Sequence, residues 1–121
     1  YYASAQFVTS KGLLLVNSGI ENANFEVARD EILHQLDKCR AGALTDAELD
    51  TARKTLANGW RAMLDDPLTL ERYWLGQAAA GLLIPPEKRI EQISAVTPEQ
   101  VTAAAQNTAL DTVYFMKGAA R

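Results

Sequence analysis

His34 is the only histidine in the chain and Cys39 the only cysteine. A zinc site needs three or four converging ligands, mostly His and Cys, and one of each on neighbouring turns of a helix does not supply them. A nucleophilic triad would also have to use His34, and neither a nucleophile elbow nor a suitable partner stands near it in sequence. The H-x-x-E-H pattern and its inverse are absent, as are the glycine-rich phosphate loops. Adjacent carboxylates at Asp65 and Asp66 precede Pro67, where helix capping explains them. Glu26, Asp30, Glu31 and Asp37 read as a solvated helix face, and Trp60, Tyr73 and Trp74 as helix-contact residues. Cys39 falls on an apolar stripe and reads as a small buried hydrophobe. The residues alone therefore give an α+β domain with no metal ligands, no cofactor and no self-contained active site.

The composition agrees. The 121 residues suit one domain, and the 48% hydrophobic and 22% charged shares are ordinary for a globular chain. A net charge of −3, with Lys and Arg scattered among acidic neighbours, argues against a nucleic-acid partner. The apolar runs, Leu13 to Val16 and Leu82 to Ile84, are too short to span a membrane. One cysteine excludes an internal disulfide and fits a reducing compartment, so a cytoplasmic location is expected.

The elements that must carry these residues can be placed. Tyr2 to Val8 reads as a strand, Thr9 to Gly12 as a turn, and Leu13 to Ile20 as a second strand. The continuous run Leu13-Leu14-Leu15-Val16 marks a strand covered on both faces or central in its sheet. Asn22 or Asn24 starts a helix with Phe25, Ala28, Ile32, Leu36 and Cys39 on one face and Leu33 beside them, ending at Ala41-Gly42. Thr45 and Glu48 form a capping box, followed by the stripe Leu49, Ala52, Leu56, Trp60, Met63. Asp66 and Pro67 start a third helix carrying Leu70, Tyr73, Trp74 and Gln77. Pro85-Pro86 opens a short one to about Ile93, with Ile90 and Ile93 inward. Thr97, Pro98 and Gln100 start the last, which runs to about Asn107 on Val101, Ala104 and Ala105. Thr112 to Met116 is β-branched and aromatic, and is expected as a closing strand beside the N-terminal hairpin. The fold class is α+β, a small mainly antiparallel sheet with helices packed on one face. A strand pattern already running at the first residues, and so sparse a sheet, point to residues 1–121 as a single partial domain, the later portion of a larger one.

Four stretches in fixed order carry a family resemblance: Tyr1-Tyr2-Ala3-Ser4-Ala5 with the Gly12 strand, Leu44 to Arg53, Val96 to Val101, and Leu110 to Gly118. Together they resemble the C-terminal part of a domain of the insulinase/pitrilysin-type zinc peptidases, which include mitochondrial processing peptidase, and most of all the bacterial branch. The resemblance implies a metallohydrolase-like partial domain. It implies zinc in the parent's N-terminal half, held by an H-x-x-E-H helix, and a C-terminal half that closes over a peptide substrate. In active members an arginine and a following tyrosine touch the substrate. Tyr1 stands at that tyrosine position, and the arginine would lie ahead of residue 1.

The expected function is thus a C-terminal fragment that helps enclose substrate and docks against the rest of the parent chain or a homologous subunit. The alternative is an interaction or scaffold module of a catalytically inactive homologue. Open strand edges lead us to expect pairing with a second copy as well. Finding Thr112 to Met116 unpaired with either N-terminal strand would favour a third reading, an independent binding domain of unrelated ancestry.

Overall fold

In a computed structural model, which describes residues 2–118, the chain forms two compact units. One comprises residues 2–43 with 101–118, and the other comprises Leu44–Gln100.

The first unit opens with strand β1 (Tyr2–Val8) and strand β2 (Leu13–Gly19), paired antiparallel from Tyr2 opposite Gly19 to Val8 opposite Leu13. A single 3-10 turn at Thr9–Lys11 joins them. Gly12 closes it at φ 62°, a left-handed conformation that glycine adopts without a Cβ clash. Helix α1 (Phe25–Arg40) follows another 3-10 turn. Asn24 stands at its N-cap but makes no capping bond through its side chain. Its half-buried face is the expected one, Phe25, Ala28, Ile32, Leu33, Leu36 and Cys39, and Gly42 at φ 68° ends the run.

In the second unit, helix α2 (Asp46–Leu64) begins with the full capping box: Thr45 accepts from the Glu48 amide and the Glu48 carboxylate accepts from the Thr45 amide. Helix α3 (Pro67–Ala79) is capped by Asp66, with Pro67 in its first turn. Helix α4 (Pro86–Ser94) packs against α2. The buried stripe of α2 departs from expectation. Leu49 and Ala57 are buried, Arg53 and Trp60 half-buried, whereas Leu56 is 55% exposed. Positions four apart from Leu49 face inward because Arg53 donates from Nε and Nη2 to the Val96 carbonyl, which turns that row toward α4 and its following loop. Helix α5 (Pro98–Gln106) has reciprocal capping between Thr97 and Gln100.

Two expectations about the sheet are corrected. Thr112 to Met116 forms no strand, and the sheet among the described residues has two strands only. The segment is held by a side chain instead: the Phe115 ring stacks on Phe25 at 4.2 Å and 22°. Strand composition alone does not bring a segment to a sheet edge; here the edges of the hairpin stay open and the aromatic contact decides the segment's place. Nor is Leu13–Val16 covered on both faces: these four residues are 39–45% exposed. The α+β class stands, with helices outnumbering strands.

Candidate functional site

Tyr1, expected to touch substrate, lies outside the described residues. His34 is exposed on α1, and Cys39 is a half-buried free thiol on the same helix. Among the described residues no group of three or more His, Cys, Asp or Glu could hold a metal ion. No helix among the described residues is long and apolar enough to cross a membrane.

The remaining chemistry-bearing residues are committed to structure. Asp66 accepts from the Leu68 amide and the Thr69 hydroxyl. The Thr69 hydroxyl, then the Thr69 and Leu68 amides and the Arg72 charge, hold its carboxyl below the ordinary range, against a smaller opposing contribution from burial. Glu99 is likewise lowered, first by its own amide and then by the Thr97 hydroxyl. Tyr73 sits between two indoles, edge-on to Trp60 at 5.3 Å and to Trp74 at 5.4 Å. Its hydroxyl donates to the Ile84 carbonyl, and the Ile84 amide donates to Gln77 Oε1 at 3.3 Å. The aromatic trio therefore pins the loop before α4 rather than lining a ligand cage.

A shallow groove of about 190 Å³ is lined by Asp50, Arg53, Lys54, Ala57, Arg61 and Ser94. Its cations are already engaged. Arg53 serves the Val96 carbonyl, Lys54 pairs with Asp50 at 2.6 Å, and Arg61 donates to Asn58 at 2.8 Å.

Two arginines carry more of the architecture than their scattered positions foretold. Arg40, in the last turn of α1, donates from Nε to the Ala105 carbonyl at 3.3 Å and from Nη2 to the Thr108 carbonyl at 2.5 Å. Nη1 pairs with Asp37 at 2.7 Å, and Gln106 Nε2 donates back to the Arg40 carbonyl at 3.1 Å. Arg40 thus serves the end of α5, where the Ala105 carbonyl also accepts from the Thr108 amide at 3.1 Å. The available signal was an arginine in a last turn, which commonly serves terminal carbonyls; which carbonyls it reaches is a tertiary matter.

The feature that stands out is apolar surface. Leu49, Ala57 and Ala105 are the buried hydrophobic residues of the described chain, while seventeen large hydrophobic ones are exposed. On the hairpin the register sorts these into faces. One face carries Ala3, Ala5, Phe7, Leu14 and Val16 with only Ser18 as a polar member; the other mixes Tyr2, Val8, Leu13 and Leu15 with Ser4, Gln6 and Asn17. The Tyr2 ring lies over Gly19, where an added Cβ would stand 2.6 Å from its nearest atom. In the closing segment Leu110, Val113, Tyr114 and Met116 are exposed, Tyr114 to 81%. Contiguous exposed apolar surface is the kind that marks interaction sites.

With this geometry in place, the chain can be compared with known proteins. No protein-family model matches it. It is 35% identical over 118 residues, 98% of its length, to a Bacillus subtilis (strain 168) protein named "Probable inactive metalloprotease YmfF". It also resembles the crystal structure of a conserved protein from Enterococcus faecalis V583, with a TM-score of 0.72 and 27% identity over 87% of the chain. The chain spans only 28% of the first protein and 25% of the second. It is thus similar to one part of a metalloprotease-like protein. The unpaired Thr112–Met116 segment removes the sheet-based support for the peptidase reading, which rests on these similarities instead.

Proposed function

We propose that the chain is the C-terminal portion of an insulinase/pitrilysin-type, peptidase-like protein. It acts there without chemistry of its own, forming part of the wall around a peptide and docking against the half that carries the zinc motif. The observation that carries this reading is the 35% identity across 98% of the chain to a metalloprotease-like protein more than three times its length. The broad apolar exposure is of the kind a docking surface needs. The test is direct. The chain alone hydrolyses no fluorogenic peptide with or without added zinc, and zinc titration gives no stoichiometric binding. Unaided hydrolysis, or tight binding of one zinc ion, overturns it.

A second reading has a specific observation in its favour: the Bacillus relative is named a probable inactive metalloprotease. The chain would then be an interaction or scaffold module of a non-catalytic homologue. Reading the coding sequence upstream separates the two. An H-x-x-E-H helix there supports the active parent, and its absence supports the scaffold.

A further inference from the structure

The hairpin has two free edges among the described residues. Edge strands in soluble proteins are protected by charges, prolines or bulges against pairing with other chains. Neither strand has such protection: β1 reads YASAQFV and β2 reads LLLVNSG, without one Lys, Arg, Asp, Glu or Pro. The two edges are not equivalent. Only β2 carries four successive large apolar residues without a charge, Leu13 to Val16, the composition that most invites a further strand. Its one hydrogen-bonded neighbour is β1. The outer edge of β2 is therefore the acceptor.

The same chain carries a donor. Thr112 to Met116 is a strand sequence outside any ladder, anchored by Phe115 on Phe25. In an extended segment the side chains stand above and below while N–H and C=O groups point sideways. Phe115 can therefore stay on its own α1 while the backbone of its segment pairs laterally. Donor and acceptor are not paired with each other within the chain, yet each copy owns one of each. A twofold axis joins both sets at once, and a two-chain assembly leaves neither over.

We propose that two copies of this chain associate by reciprocal strand addition, residues 112–116 of each pairing with the outer edge of β2 of the other. The occupant is a second copy because acceptor and donor occur one to one in the same polypeptide. This inference does not depend on the peptidase reading. It concerns the chain on its own.

The test is sedimentation velocity with light scattering on the 121-residue chain from micromolar to near-millimolar concentration. A monomer–dimer equilibrium is expected. Leu15→Lys/Val16→Lys places charges on the acceptor. Val113→Pro/Tyr114→Pro removes two successive amides, which point to opposite edges, so one of them is an interchain donor. Each variant alone is expected to raise the dissociation constant at least about tenfold. Mixing the two restores part of the association, because one intact acceptor–donor pair remains. A strict monomer, growth into open polymers, variants that pair as well as the parent, or a mixture without recovery overturns the proposal. Hydrogen exchange on the unmodified chain is independent of how the variants fold: protection at 13–19 and 112–116 must rise with concentration, and flat protection also overturns it.

Discussion

At the scale of single residues, Arg40 links the end of α1 to the end of α5 within the first unit. It serves two carbonyls and one carboxylate at once. Arg40→Ala leaves the Ala105 and Thr108 carbonyls without it and is expected to cost about 1–2 kcal/mol. Arg40→Lys recovers less than half, because an ammonium cannot present a planar fork to two acceptors. Urea unfolding followed by circular dichroism measures both. Asp66 gives a pH signature. Its folded carboxyl lies below the ordinary range, so its contribution is complete above the unfolded value and is lost as pH falls through the folded one. Glu99 has the same sign. Asp66→Asn keeps a capping oxygen but cannot titrate, so its melting temperature should fall less steeply in acid than that of the parent. An equal slope in both proteins contradicts this assignment.

Elements follow local chemistry wherever that chemistry is complete. The capping box of α2 was legible because both partners, Thr45 and Glu48, lie within one turn. The Asp66-Pro67 and Thr97-Pro98 starts and the Gly12 turn were legible for the same reason. Thr45→Ala should destabilise by about 1 kcal/mol. Gly59 lies within α2 with nothing inside 4 Å of an added Cβ, so Gly59→Ala should stabilise by about 0.5–1 kcal/mol. Gly81 at φ 67° also has open space. Gly81→Ala is nevertheless destabilising, because that backbone conformation is strained for any L side chain. Thermal melts of the three variants order them. What was not legible was set by partners distant in sequence. The inward row of α2 is fixed by a carbonyl at Val96, and Leu56 therefore faces outward. Thr112 to Met116 has the composition of a strand, but composition does not state whether the segment meets an edge. The candidate site shows the same limit. Tyr1 came from a resemblance and lies outside the described residues; alternation alone separates Tyr2, Ser4 and Gln6 from Ala3, Ala5 and Phe7, but which β2 residues join each face required a register that neither strand encodes alone.

At the scale of the whole molecule, burial is thin. No side chain among the described residues is fully buried, and the exposed apolar residues occur in both units. A chain that removes so little apolar surface from water gains little hydrophobic free energy on folding. The slope of its unfolding free energy against urea should accordingly fall below that of compact domains of similar length, since the slope follows the area exposed on unfolding. The chain should also bind anilinonaphthalene sulfonate in its native state. Steep unfolding without dye binding would mean that its apolar surface is covered in solution.

The indoles carry an optical consequence. The chain has two tryptophans, Trp60 and Trp74, and both flank Tyr73 within the Leu44–Gln100 unit. Emission excited at the red edge therefore watches that unit alone. The hairpin, α1 and the closing segment are dark at that wavelength. Should the two units melt separately, fluorescence and far-ultraviolet dichroism will trace different curves from the same cuvette, and the gap between them isolates the unit without an indole.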